Sequence, residues 1–428
     1  MSARRWAAGL GGATVLALTA GCGMLGIGGG EDDRSAEERL VAMLNESNRI
    51  EADLTSAEYR IVQNCLEEQG FTVHEPWSFQ EWEAEEQETL SWGYPHEEFL
   101  IDADEAKEYG YGAWADSAEA QENGEAEDYW AAQEEKWEEE EGGDDYVEPD
   151  TTDWDALTPD EQYDWYLAYQ GEEYVESSYG TREEYTSSMS EEELTEEEAI
   201  ALEEAAEEEE VVEDEGEISV EDEDDWVDPK PGGCQLEMIE ALYGEPRMVE
   251  DTWEDEGGGS YTYWEYRPEN PAYAGESEED SMYGKIEDDY TEAMLDMQGK
   301  YLDCITERGY SGFTFTEYNS LPVREYLTEI YYDGVPEDER MVSYGDSDTE
   351  IPPLPEDMPE DYEAKKAYEI QMAVDFNECG DELGYVDASE KAYDEANVKA
   401  YEAIEEDVYA WQQDMKDALT KAQEMLDQ

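Results

Sequence analysis

Cations are scarce in this chain. Of its 428 residues only 23 are Lys or Arg, against 124 Asp and Glu, for a formal net charge of -101. Phosphate recognition needs clustered Lys and Arg, so the composition argues against nucleic acid as a partner. Anionic lipid headgroups are equally poor partners for the body of the protein. Histidine is scarcer still: His74 and His96 are the only two. Both fall in an acidic, irregular stretch and read as surface residues, which leaves a His-dependent mechanism without a base. No glycine-rich phosphate loop, Gly-x-Ser-x-Gly elbow, His-Glu-x-x-His motif or Cys-x-x-Cys pair occurs, so the common catalytic and zinc-ligand frameworks are missing. Hydrophobic residues make up 39%, below the usual level for a chain folded throughout. Long apolar runs are missing too, except for one near the start that is too short for a permanent membrane-spanning helix.

That start is informative. Arg4 and Arg5 precede an apolar stretch from Ala7 to Ala20, which ends in Leu18-Thr19-Ala20-Gly21-Cys22. The pattern resembles a bacterial lipoprotein signal, in which small residues stand directly before a cysteine that becomes the lipidated first residue after cleavage. Thr19 stands where such signals most often have Leu. Residues 1–21 thus read as a signal peptide, and residues 22–34 as lipidated Cys22 with a flexible tether rich in glycine from Gly23 to Gly30. Acyl chains on Cys22 would hold the protein at the extracytoplasmic face of the cell membrane, with a gain of about 0.8 kcal/mol per buried methylene.

Four cysteines remain: Cys65, Cys234, Cys304 and Cys379. An even number outside the membrane favours two disulfides. Cys65-Leu-Glu-Glu-Gln-Gly70-Phe71, Cys304-Ile-Thr-Glu-Arg-Gly309-Tyr310 and Cys379-Gly-Asp-Glu-Leu-Gly384-Tyr385 share one spacing. The physical reading is a repeated helix end: cysteine on the last turns, glycine in the left-handed cap, and an aromatic packing back. Cys234 instead follows Pro229-Lys230-Pro231-Gly232-Gly233 and opens the apolar-periodic run Leu236, Ile239, Leu242, Tyr243, so it reads as a helix start. Four cysteines allow three pairings. The favoured one joins Cys65 to Cys234 and Cys304 to Cys379, one staple in each half; a Cys65–Cys304 link would break that two-half scheme.

These features are similar to those of a group of uncharacterised lipoproteins of high-GC Gram-positive (actinobacterial) bacteria. The shared traits are the lipobox, repeated cysteine–glycine–aromatic helix ends and a long C-terminal helix. The resemblance covers about residues 1–75 and 230–428. It implies location and architecture, and carries no activity to transfer.

The expected fold is mainly α: two disulfide-stapled halves, a long C-terminal helix and a large acidic, partly disordered insertion. Residues 35–73 form the N-terminal helical segment, with one long helix over 35–69 or two broken near Leu54. Residues 74–229 form the acidic, aromatic-rich insertion, with helical pieces near 128–140, 159–169 and 190–212. Residues 230–428 form the C-terminal helical segment. Within it Met248–Trp253 and Tyr261–Tyr266 flank Gly257-Gly258-Gly259 as a hairpin, and a helix runs from about Met282 to Arg308. Pro352, Pro353, Pro355 and Pro359 mark a stiff connector. From about Ala388 to Leu426 neither proline nor glycine occurs, and Tyr401, Ile404, Val408, Trp411, Met415, Ala418, Ala422 and Met425 alternate spacings of three and four. That stripe resembles a coiled-coil seam. It would pack within the chain against 35–69 or 282–308, or else bind a partner.

The acids are uneven. Between Arg60 and Lys230 the only basic residues are Lys107, Lys136 and Arg182, and near-continuous acidic runs fill Glu203 to Asp225. Such blocks stay solvated. The region also carries Trp77, Trp82, Trp92, Trp114, Trp130, Trp137, Trp154 and Trp165, which points to helical fragments that dock onto the core or a partner. Asp144-Asp145 with Asp150, Asp153 and Asp155, and Asp346 with Asp348 and Glu350, have hard-ligand character without EF-hand spacing. They imply weak divalent-cation binding, with no defined metal site and no cofactor. Carboxylate pairs are too numerous for any one to stand out as catalytic. The reading is a non-enzymatic, membrane-anchored lipoprotein with an interaction or structural role and an envelope protein as partner. The alternatives are an extracytoplasmic solute- or cation-binding accessory of a transporter, and an envelope hydrolase. Charge on this scale fits a salty exterior, where screening shortens electrostatic reach to about 3 Å at 1 M.

Overall fold

A computed structural model describes residues 34–427 except 81–83, 85, 92, 141–148, 192–225, 254–258, 274–280, 333–350 and 356–357. The segment expected to be a signal peptide, Cys22, the acidic run from Glu203 to Asp225, the helical piece expected at 190–212 beyond Glu191, and the Asp144-Asp145 and Asp346–Glu350 clusters lie outside the described residues. Local chemistry starts and stops the helices. Helix α1 (Ala36–Gln69) runs unbroken through Leu54, because Leu40, Leu44, Ile50, Leu54, Ile61 and Leu66 keep one face buried along its length. Asp102 accepts from the N–H groups of Asp104 and Glu105 and opens α2 (Ala103–Glu108). Ser117 caps α3 (Ala118–Asn123), and α4 (Glu125–Glu140) follows the left-handed Gly124. Beyond α5 (Thr152–Asp155), a Thr158/Glu161 capping box with Pro159 in the first turn starts α6 (Pro159–Gln170). Helices α7 (Glu172–Tyr179) and α8 (Arg182–Glu191) complete the acidic half.

The rest begins with β1 (Trp226–Val227) and α9 (Gly233–Leu242). Strands β2 (Arg247–Trp253) and β3 (Gly259–Glu265) form the expected hairpin, with Met248 opposite Trp264. Strand β1 joins β3 in parallel, giving the order β1-β3-β2. Four helices follow: α10 (Met282–Glu307), α11 (Val323–Tyr331), α12 (Tyr362–Leu383) and α13 (Tyr385–Leu426). Thirteen α-helices against three short strands, among the described residues, make the fold mainly α. None of the helices searched is long and apolar enough to cross a membrane.

The C-terminal stripe packs within the chain. Arg39 of α1 meets Glu402 and Glu405, Met43 and Ser47 meet Gln412, and Glu46 meets Lys416, so α1 and α13 run parallel. Tyr301 of α10 packs against Tyr385, Tyr290 against Tyr393, and Asp289 pairs with Lys399, so α10 runs antiparallel to the first half of α13. At about 1.5 Å per residue, the 42 residues of α13 pass through two hydrophobic cores. Tyr385, Ala396, Ala400, Tyr401 and Val408 belong to the first, with Phe99, Tyr301 and Phe376. Ala422 belongs to the second, with Leu66, Trp165, Ile239 and Leu242. Trp411, Met415 and Ala418 bridge them against Ile50 and Leu54. Residues 74–229, read above as an insertion, enter both cores through Leu90, Phe99, Leu100, Trp154 and Trp165. Trp114 is buried in a smaller cluster, whereas Trp77 and Trp130 stay exposed.

Each core holds one staple. Cys65–Cys234 spans 5.8 Å between Cα atoms, and Cys304–Cys379 spans 5.9 Å. The repeated helix ends are caps: Gly70, Gly309 and Gly384 all have positive φ. In the first two, the aromatic N–H bonds back to a carbonyl five residues earlier, Phe71 to Leu66 and Tyr310 to Ile305, both at 3.0 Å. Tyr385 instead enters α13 directly, so that helix starts three residues before Ala388. Next to the first disulfide, the backbones of α6 and α9 come into direct contact: a Cβ on Gly233 would lie 2.3 Å from the Ala168 carbonyl. In the chain-entropy limit, loops with separations of 169 and 75 residues are worth about 4–5 kcal/mol each. Non-reducing peptide mapping of the protein isolated without reductant is expected to recover Cys65 linked to Cys234 and Cys304 linked to Cys379. Free thiols or a Cys65–Cys304 peptide would contradict this arrangement.

Candidate functional site

Both histidines lie inside the fold, which corrects their reading as surface residues. His96 is 4% exposed. Its Nδ1 lies 2.9 Å from the Ser389 hydroxyl, its ring stacks on Tyr94, and Ser389 in turn lies 2.8 Å from the Tyr290 hydroxyl. His74 is half-buried, edge-on to Phe79, and accepts from the Trp165 indole N–H at 3.3 Å. Burial lowers the pKa of both, against weaker pulls from Glu67 and Glu97. The cause is partly tertiary: Trp165 of α6 packs on His74, and Ser389 of α13 meets His96. The His96–Ser389 contact has nucleophile–base spacing, but Ser389 is fully buried, so no substrate reaches it.

The site that solvent does reach is a cleft of about 980 Å³. Its walls are the segment before α2, the loop between α10 and α11, and facing turns of α10 and α13. Helical spacing aims the side chains: Tyr283 and Glu287 are four apart on α10, and Tyr393, Asn397 and Tyr401 are four apart on α13. Tyr94, Tyr111 and Tyr318 complete a lining of six tyrosines. Tyr94 packs edge-on against Tyr393 and donates to Asp394 at 3.2 Å. Tyr111 is pinned by its hydroxyl to the Phe99 carbonyl at 2.9 Å. Tyr283 and Tyr318 remain 54% and 62% exposed, at the mouth.

The charges are mostly of one sign. Glu97, Glu98, Glu287 and Glu325 line the cleft with a single cation, Arg324. Glu287 is half-buried and accepts from the Asn319 amide at 2.9 Å. Its pKa is raised by burial, and the Asn319 bond opposes that rise. Asn319 sits at φ 58°, the left-handed region that Asn tolerates better than most residues. Its carbonyl accepts from Thr291 at 3.0 Å and Gln298 at 2.9 Å. One buried amide thus fixes the loop that carries Tyr318 and orients the carboxylate.

A second buried carboxylate supports the wall. Glu369 of α12 is fully buried and accepts from the N–H groups of Ala113 and Trp114 at 2.9 and 3.1 Å, and from the Tyr331 hydroxyl at 2.6 Å. It clamps the turn that follows Tyr111. Burial pushes its pKa up to about 7, against the pull of those hydrogen bonds.

The cysteines read as staples are brought together in pairs, away from the cleft lining. Asp150 and Asp155 serve local turns, accepting from Thr152 N–H and the Thr151 hydroxyl. Among the described residues, no group of three or more His, Cys, Asp or Glu converges to hold a metal ion. The cleft residues did not stand out in the sequence. The i, i+4 pairs were a usable signal, but nothing local marks the two helices as neighbours. No family model matches the chain, and no curated protein or solved structure matches it.

A glutamic acid whose folded pKa exceeds its unfolded value favours the folded state in full at low pH, and that contribution is lost as pH rises through the folded pKa. Glu369→Ala strands two buried N–H groups, a cost of about 1–3 kcal/mol. Denaturant melts of both forms are expected to show the variant less stable at pH 5, with the gap narrowing towards pH 8. A gap that widens with pH would contradict the assignment.

Proposed function

We propose that the chain is a lipid-anchored, non-catalytic binding protein on the extracytoplasmic face of the cell membrane, with its ligand seated in the tyrosine-lined cleft. The observation that carries this reading is the cleft itself: a solvent-reached cavity of about 980 Å³, with walls fixed by buried polar clamps. Its volume lies at the upper end of small-molecule sites. Tyrosines supply large, rigid contact area with little rotamer entropy to lose. The Ser–His contact, the only such contact among the described hydrogen bonds, is sealed from solvent, which favours binding over hydrolysis.

Support for the location comes from Arg4-Arg5, the apolar stretch, Cys22 and the glycine tether, and from the resemblance to actinobacterial lipoproteins. Paired cysteines fit an oxidising exterior. A solute-binding accessory of a transporter fits the cleft better than a docking helix does, because the stripe on α13 is covered by α1 and α10.

The anchor is tested by Cys22→Ser in the native host. The wild-type chain is expected to fractionate with membranes and to incorporate a labelled fatty acid, and the variant to lose both. Equal membrane retention without label in both forms would refute the anchor.

A further inference from the structure

We propose that the cleft recognises an organic ammonium ion, with Glu287 as counter-ion and Tyr283, Tyr393 and Tyr401 as the aromatic walls around it. The inference rests on the binding reading above and names its ligand class. Three facts converge. Tyr283 and Glu287 lie one helical turn apart on α10, and Tyr393 and Tyr401 lie two turns apart on α13, all lining one cavity. Tyr290 of α10 packs edge-on against Tyr393 at 5.5 Å and Asp289 pairs with Lys399, so the first turns of α10 face residues 393–401 of α13. Burial raises the phenol pKa of Tyr393 and Tyr401, and Glu287 and Tyr283 add to the rise at Tyr393, Tyr283 and Tyr393 to that at Tyr401. The four side chains are therefore neighbours and not merely residents of one large cleft.

Glu287 is also placed to discriminate. It is half-buried and held by the Asn319 amide, so it keeps one orientation and is partly stripped of water. A positive ligand beside it regains that lost solvation. The negative faces of tyrosine rings attract a cation in the same place, more strongly when water is excluded. The other classes fit less well. An anion meets four carboxylates and one arginine. A calcium ion needs six to eight oxygens at about 2.3–2.6 Å, and among the described residues no three of the acidic, His or Cys side chains converge to hold one. A neutral sugar could stack on the rings but would leave Glu287 without a charge partner. The cavity is larger than a bare trimethylammonium head, so the ligand carries its ammonium on a longer body that extends towards Tyr94 and Tyr318.

The test uses an isosteric pair. Choline and 3,3-dimethylbutan-1-ol have the same shape and differ in the charge on one atom. Both are titrated calorimetrically into the full-length oxidised protein in 0.5 M NaCl, which screens diffuse attraction. Choline is expected to bind one to one and at least tenfold more tightly than the alcohol. Glu287→Gln still accepts from Asn319 and is expected to erase that preference. Tyr283→Ala removes a wall that is already 54% exposed and is expected to weaken choline several-fold. A preference for choline that survives Glu287→Gln would overturn the proposal, because diffuse charge would then be its source. Equal binding of both probes would overturn the ammonium ion and leave the binding cleft standing. Binding of neither would overturn both.

Discussion

One face of α13 is shared between two cores, and that sharing ties the two stapled ends into one body. The helix lies parallel to α1 and antiparallel to α10, so each core closes only when α13 is in register with both. Register has a polar check at the middle of the seam. Gln412 donates to the Met43 carbonyl at 2.8 Å and to the Ser47 hydroxyl at 2.9 Å, all within the buried interface. A slip by one turn would bury that amide without partners, at a cost of about 1–3 kcal/mol. The cleft depends on the same register, because Tyr393, Asn397 and Tyr401 face Tyr283 and Glu287 only when α10 and α13 are aligned.

The acidic charge is compatible with this body because the scarce cations sit at joints. Arg39 ties α1 to α13, and Arg308 at the end of α10 reaches Asp375, Glu378 and Glu382 of α12. Arg267 reaches Glu58 of α1, which is 5% exposed and also accepts from Tyr243. Lys366 joins α12 to Glu125 and lies over the Trp114 ring. Exposed pairs of this kind contribute roughly 0–1 kcal/mol each. The Arg267–Glu58 contact is the costly one to break, since either partner alone would be left charged in a buried place. Among the described residues most acids without such partners lie at the surface, where salt screens them, whereas the buried Glu75 and Glu369 are held by backbone N–H groups.

How much of this was legible depended on range. Features set by a few neighbouring residues could be read: the Cys-x4-Gly-aromatic caps, the helical piece near 159–169, the β2–β3 hairpin and the 3-4 stripe on α13. Helices α2, α3, α5, α7, α11 and α12, and all but the end of α8, were not named, although Asp102, Ser117 and Asp361 are ordinary N-cap residues. The burial of His96 could not be read, because its partner Ser389 lies 293 residues away along the chain, and Tyr290, which meets the same hydroxyl, 99 residues before Ser389. The cleft was illegible for the same reason. Its tyrosines at 94, 283, 318 and 393 come from four separate segments, and nothing local to any of them marks the others as neighbours.

The central claim is that the α1–α13 seam is the last part of the molecule to open. Native-state hydrogen exchange on the full-length oxidised protein tests it directly. The account predicts that amides of residues 396–422 and 40–66 exchange slowest and only through global unfolding, while those of α4, α7 and α8 exchange by local opening. Exchange of residues 396–422 as fast as that of α4, α7 and α8 would contradict it.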